Sequence, residues 1–276
     1  MISRPLKRAL KPLASVARKS GYFFVDVFES TFGLRDELTP PRSKIFIGNG
    51  DFKMIGDEFL QHFIGKAGLK PADKILDVGC GIGRMAVPLT RYVKEGSYEG
   101  IDIVSDGIDW CTKSITPKFP AFKFQQADVH SERYNPKGKY KASEYRFPFE
   151  DESFDFVFLT SVFTHMLPQD VDNYLSEISR VLKRDGKCLI TYFLLNQESK
   201  EQIRQKRGFY SFQHALGDCR VEHDDLPEDA VSFEEDYVRN LHGKHGLNLV
   251  DPIHYGSWCG RSSFLSFQDI VVATKN

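Results

Sequence analysis

Residues 75–83 read ILDVGCGIG, a short apolar run that breaks into glycines at alternate positions. The run has the character of a buried strand, and residues 84–93 after it read as a helix with Pro88 near the first turn. A strand that bends into a helix in this way leaves few folds open. Glycine supplies positive φ and bare backbone, which lets a ligand come close. The helix start beyond it presents unpaired N–H groups and a partial positive charge. Such a turn holds a nucleotide or a carboxylate.

The chain then repeats the unit. Strands are expected at 98–102, 122–128, 154–160 and 187–193, with helices at 105–115 and 169–182. This alternation predicts an α/β, doubly wound fold with a mostly parallel sheet. An Asp185-Gly186 turn precedes the fifth strand. Two last strands, 247–255 and 267–274, predict an antiparallel terminal hairpin.

Two stretches break the rhythm. A polar loop at 129–153 carries Arg133, Tyr134, Lys139, Tyr140, Tyr145 and Arg146, and loops of that length are usually functional or mobile. Segment 196–246 includes an acidic stretch between Glu222 and Asp236. It reads as a lid-like insertion or, equally, as a hydrated helical surface.

Composition narrows the partners. With 41% apolar and 27% charged residues the chain is an ordinary globular one, enough for one domain and an appendage. Lys and Arg number 37 against 38 Asp and Glu, so no global field recruits nucleic acid, and DNA is not an expected partner. The five cysteines are odd in number and too scattered for a paired motif, which favours a reducing, cytoplasmic setting. No compact cluster of histidine and carboxylate appears, so no metal is expected. No apolar run approaches the roughly 20 residues of a bilayer span.

An N-terminal extension, 1–44, opens with Arg4, Lys7, Arg8, Lys11, Arg18 and Lys19 and has no acidic residue in its first twenty. Drawn as a helix, residues 1–20 suit peripheral contact with an anionic membrane, although Pro12 interrupts that helix. A frayed basic terminus or a transit segment fits the same composition.

Acids complete the crevice. Asp102 ends the second strand about 20 residues beyond the glycines, where a carboxylate accepts ribose hydroxyls. Asp77 stands just before Gly79, able to face an ammonium group, and Asp128 ends the third strand, able to accept from an adenine amino group. Together these say nucleoside cofactor. Residues 81–86, GIGRMA, also match the dinucleotide pattern GxGxxA, so an NAD(P)-dependent oxidoreductase stays open on these residues alone.

The ordered segments ILDVGCGIG, EGIDI, QQADV and FPFEDESFDFVFLTSVFTH resemble the class I S-adenosylmethionine-dependent methyltransferases over residues 45–276. The resemblance implies a seven-stranded sheet of order 3-2-1-4-5-7-6 with the last strand antiparallel, and S-adenosyl-L-methionine across the carboxyl ends of the first strands. It places Asp77, Gly79, Gly81 and Gly83 at the methionine moiety, Asp102 at the ribose and Asp128 at the adenine amino group. Ile103 and Val129 would sandwich the adenine, and Thr160 would border the sulfonium. Segment 46–53, FIGNGDFK, is a further element that could roof this site.

Transfer from a sulfonium mainly requires alignment of the nucleophile, and an alcohol acceptor also needs a base. His165, just past the fourth strand, is the candidate base, although a role in merely ordering its loop is the favoured reading. His214, His223 and His254 are weaker alternatives. Tyr255, Trp258 and Arg261, in YGSWCGR, combine aromatic surface with a fixed cation that could hold a sugar, phosphate or carboxylate. The alternative is a tight hairpin with Trp258 packed and Arg261 in water. The expected activity is O-methylation of a small-molecule, glycan or lipid-linked acceptor. A cofactor-binding scaffold without transfer activity is the other class.

Overall fold

The computed structural model describes residues 25–26, 32, 35–46, 48 and 50–276. Residues 1–20, expected to touch a membrane, lie outside the described residues. In chain order the elements are α1 (Phe52–Gly65), β1 (Lys74–Val78), α2 (Ala86–Tyr92), β2 (Ser97–Asp102), α3 (Ser105–Ser114), β3 (Phe122–Gln126), β4 (Phe154–Leu159), α4 (Pro168–Val181) and β5 (Leu182–Tyr192). There follow β6 (Leu194–Leu195), α5 (Gln197–Arg204), β7 (His214–Leu216), β8 (Cys219–Val221), β9 (Val231–Glu234), α6 (Glu235–Lys244), β10 (Leu247–Leu249) and β11 (Asp269–Lys275).

The main sheet has seven strands in the order β10-β11-β5-β4-β1-β2-β3. Strands β1 to β5 pair in parallel, and β11 runs antiparallel to both β5 and β10, as the resemblance implied. Both faces are covered, which explains why the strands read as unbroken apolar runs. Ile75, Phe156, Phe158, Leu189, Ile270 and Val272 face α1, α2 and α3. Their neighbours Leu76, Val157, Leu159, Ile190, Val271 and Ala273 face α4 and α6. The pleat's period of two sorts one apolar run into two cores.

The structure shortens or extends several expected strands. Strand β3 stops at Gln126, before Asp128. Strand β10 ends at Leu249 rather than 255, and only an isolated bridge between His254 and Ile270 continues its side of the sheet. The expected Asp185-Gly186 turn lies inside β5 as a bulge: Asp185 has φ 60, and the register against β4 slips between Phe154 and Phe156. Extra residues on one strand of a pair are absorbed locally without ending it.

Segment 196–246 holds two helices, α5, in which Ser199 alone is buried, and α6. It contributes β7, β8 and β9, which join β6 in a second sheet of order β6-β9-β8-β7. Cys219, Val221, Val231 and Phe233 from this sheet share one core with Tyr192, Val238 and Leu241. Its acids have specific partners: Glu222 accepts from the amides of Ser211 and Phe212 at 2.7 and 2.8 Å, and Glu234 pairs with Lys200 at 2.7 Å.

The long polar loop is fastened to α4. Asn173 donates to the carbonyls of Ala142 and Tyr145 at 2.8 and 2.9 Å. Arg180 donates to those of Phe147 and Phe149 at 3.0 and 2.7 Å. Glu177 accepts the Phe147 amide at 2.7 Å, and the Phe147 ring is buried. Loop backbone that leaves water must find such partners.

Candidate active site

At the carboxyl end of β1 the chain reverses through Gly79, Gly81 and Gly83, all with positive φ (85, 57 and 78). The amides of Gly79 and Cys80 both donate to the Ile101 carbonyl, at 2.8 and 3.1 Å, which ties the turn to β2. A Cβ on Gly79 would stand 2.3 Å from Cγ2 of Val162, so the chain leaving β4 rests directly on this glycine. Gly83 does something else. Its amide donates to the Cys80 carbonyl, and a Cβ there would meet Cys111 Sγ at 2.9 Å. Gly83 therefore also lets α3 pack against the turn.

Gly107 was not anticipated. A Cβ on it would come within 2.3 Å of the Gly81 carbonyl and 3.1 Å of the Phe46 ring, so α3 can approach the turn only because this helical residue is bare. Its sequence signal was a glycine inside an otherwise regular helix. Phe46, from the segment expected as a roof, thus lies beside the turn. Gly48 lies near Arg84, a Cβ there standing 3.8 Å from Nη1.

Two carboxylates converge here. Asp77 is fully buried, accepts from the Tyr98 hydroxyl at 2.6 Å through Oδ2, and its Oδ1 has no hydrogen-bond partner among the described residues. Burial pushes its carboxyl well above the ordinary range, with the Tyr98 bond opposing and Asp102 adding to the rise. Asp102, also buried, accepts from the Gly81 amide at 2.7 Å and the Val104 amide at 2.8 Å, one on each oxygen. Its carboxyl is raised by burial and held back by those amides. Each oxygen keeps a lone pair for a further donor.

Further along the rim, Ile103 is half-buried and Val129 buried. Asp128 is partly exposed and stands 3.3 Å from Lys139 Nζ, so its carboxylate already has a cation. Thr160 directly follows β4. The Ser161 amide donates to Thr191 Oγ1 at 2.8 Å, and the Ser161 hydroxyl to Gln268 Oε1 at 3.0 Å.

His165 sits in a short 3-10 turn after Val162. Its Nδ1 lies 3.0 Å from the Glu228 carbonyl, so Nδ1 carries the proton and donates, and Nε2 is left as an acceptor. Burial lowers its pKa, so the ring is neutral near pH 7. Segments far apart in sequence meet around it. Tyr134 packs edge-on at 6.0 Å, Arg133 pairs with Asp229, and the Ser131 hydroxyl reaches Glu228 at 3.4 Å. Tyr134 and Glu228 were not expected at the site, because only the fold brings the loop after β3 against the second sheet.

The other histidines lie apart from this cluster or on its edge. His214 pairs loosely with Asp224 at 3.9 Å, His223 with Asp229 at 3.7 Å, and His254 lies near Lys66 and His62 of the α1 end.

The YGSWCGR loop is an internal network. Asp269 accepts from the amides of Leu194 and Gly256, from Trp258 Nε1 and from Arg261, the first three at 2.7 Å and the last at 3.1 Å. Trp258 and Arg261 are buried, and Arg261 also reaches Glu198, Asn196 and the Gly256 carbonyl. The expectation that Trp258 and Arg261 contact a substrate is therefore corrected, and so is its alternative of an arginine in water. Tyr255 is part of the same arrangement: its hydroxyl donates to Glu235 at 2.8 Å and its ring carries the Arg261 guanidinium at 4.6 Å. Burial raises Asp269 to about 6, against the pull of its donors.

The glycine turn, the acid after β2 and the strand order now stand together, and a family profile described as a methyltransferase domain matches residues 76–190. The matched part of this chain, residues 76–190, is thus a methyltransferase domain of the class I, S-adenosylmethionine-dependent type. The methyltransferase is similar to a fatty-acid O-methyltransferase of Mycolicibacterium smegmatis, 29% identical over 161 residues, which are 58% of this chain and 47% of that protein. It is also similar to phthiotriol/phenolphthiotriol dimycocerosates methyltransferase 1 of Mycobacterium ulcerans, 32% identical over 118 residues, 43% of this chain and 36% of that one. The chain thus spans less than half the length of either relative. Its fold matches that of a Pyrococcus horikoshii OT3 protein with a TM-score of 0.57 at 16% identity, over 85% of this chain and 95% of the other. That match spans GIGRMA and closes the dinucleotide reading it had left open.

Proposed function

We propose that this methyltransferase moves a methyl group to an oxygen of a small, lipid-like acceptor, with His165 as the base. The observation that carries the reading is the 3.0 Å contact between His165 Nδ1 and the Glu228 carbonyl, which fixes the tautomer with Nε2 unprotonated. A base in that state accepts a hydroxyl proton as the oxygen attacks. The lipid-like character of the acceptor rests on the relatives, named for fatty-acid and phthiotriol dimycocerosates substrates.

On the cofactor side, the free Oδ1 of Asp77 suits an ammonium donor, and Asp102 suits ribose hydroxyls with the lone pairs left by Gly81 and Val104. Gly79 and Gly81 offer close backbone approach, Ile103 and Val129 flank the adenine, Asp128 accepts its amino group once Lys139 yields, and Thr160 borders the methyl. S-adenosylmethionine supplies an electrophilic methyl group on a sulfonium. The protein's own residues hold and orient the partners and keep water out.

Calorimetry with S-adenosylmethionine and its demethylated product tests the cofactor half, and absence of binding overturns it. Transfer of labelled methyl from the donor into fractionated cell extract tests the acceptor, with label expected in the lipid fraction as an ester or ether. Label confined to protein or RNA, or no label anywhere, overturns the acceptor reading. His165→Asn should lower the transfer rate by roughly 10²-fold or more with cofactor affinity unchanged. The wild-type rate should fall on the acid side only below the ordinary imidazole range, because burial depresses the His165 pKa.

A further inference from the structure

Beyond the reaction site, the structure leaves aromatic surface in water. Phe209 is 74% exposed and Phe267 44%, with their rings 5.8 Å apart, and Phe264 on the same loop as Phe267 is 57% exposed. Solvated aromatic surface of this kind on an otherwise well-buried fold marks a contact site.

Two features say what it contacts. Lys206 and Arg207 lie three and two residues before the exposed Phe209 and are themselves exposed, while the neighbouring Glu201 is held by Arg204. Exposed phenylalanines set beside cations are the pattern of a protein edge that enters the headgroup region of an anionic bilayer. The patch is also continuous with the rim of the site. Gln268, next to Phe267, accepts from Ser161 just after β4. Tyr210, next to Phe209, packs on it at 4.9 Å and lies close enough to Tyr134, Arg133 and Asp229 to feel their charges.

We propose that Lys206, Arg207, Phe209, Phe264 and Phe267 form a docking surface for an anionic lipid bilayer, which sets the strand-end crevice against the membrane. The surface is formed by residues of the folded domain and is distinct in sequence from the basic N-terminal segment. It does not depend on methyl transfer, because its readout is attachment to lipid.

The test uses the full chain with phosphatidylcholine vesicles, alone or mixed with phosphatidylglycerol. The wild type should sediment with the mixed vesicles and much less with the neutral ones. The double variant Phe209→Ser, Phe267→Ser should lose attachment by roughly tenfold or more, and Lys206→Glu with Arg207→Glu should lose the preference for anionic lipid. Phe209→Trp gives an independent readout that keeps the apolar character. Both native tryptophans, Trp110 and Trp258, are buried, so new exposed emission reports on position 209. Its emission should shift to the blue and resist aqueous quenchers when mixed vesicles are added. No attachment of the wild type overturns the proposal. So does equal attachment of the serine variant, which would assign binding to residues 1–20, or an unshifted Phe209→Trp spectrum. A concentration-dependent dimer that the serine variant abolishes, without lipid binding, would assign the surface to self-association and also overturn it.

Discussion

The amide of Gly81 donates to Oδ2 of Asp102 at 2.7 Å, across 21 positions of sequence, and so locks the glycine turn of β1 to the acid that ends β2. The bond makes the shape of the turn and the direction of the carboxylate one feature. The residue proposed to meet the cofactor thus also holds the glycine loop.

Asp102→Asn should therefore act on both. The amide keeps one acceptor oxygen, but its NH2 group must face the Gly81 or the Val104 amide, leaving a buried donor unmet at about 1–3 kcal/mol. Cofactor affinity in calorimetry should drop by about tenfold or more, and the thermal midpoint should fall as well. A variant with wild-type affinity would separate the two roles.

Gly79→Ala meets two obstacles, a φ of 85 and a contact of 2.3 Å with Val162. The backbone share costs about 1–2 kcal/mol. Adding Val162→Ala should remove the clash and leave that share, so chemical denaturation should show partial recovery in the double variant. Full recovery or none would contradict the geometry.

Asp77 predicts a proton linkage. Burial raises its carboxyl well above the ordinary range, which favours the neutral form in the free protein, whereas an ammonium at Oδ1 favours the ionised form. Cofactor binding should release a proton and tighten as pH rises above the ordinary carboxylate range, up to the titration of an α-amino group near 8. Calorimetry in buffers of different ionisation enthalpy reads the proton count. Asp77→Asn should bind more weakly and lose the linkage.

His242 predicts acid lability. It is fully buried, shares a 2.9 Å hydrogen bond with the Tyr192 hydroxyl, and burial pushes its pKa down to about 3. A folded pKa below the unfolded value gives stability that is complete above about pH 6.5 and drains away as pH falls toward the folded value. On that basis the loss reaches on the order of 3 kcal/mol by about pH 4. His242→Gln should flatten this part of the stability profile, which denaturant midpoints across the pH range will show.

The strand-turn-helix of ILDVGCGIG, the acid ending β2 and the sheet order were legible because they depend on local pattern. Alternating glycines permit one kind of bend, a pleat sorts neighbours to opposite faces, and a parallel sheet buries both. The family motifs followed from the same stretch of chain. What misled was chemistry judged one residue at a time. Arg261 and Trp258 looked like ligand groups until Asp269 was found to take both.

By itself the sequence determined the α/β core, the place of the crevice and the type of cofactor, since each is written in residues close together in the chain. Only the tertiary structure decided what surrounds that crevice. Tyr134, His165 and Glu228 meet because the loop after β3 is fastened to α4 and the second sheet shares the core beneath Tyr192. The acidic stretch gave no sign of this, because the strands it contains are short and owe their stability to contacts distant in sequence, which no local periodicity records.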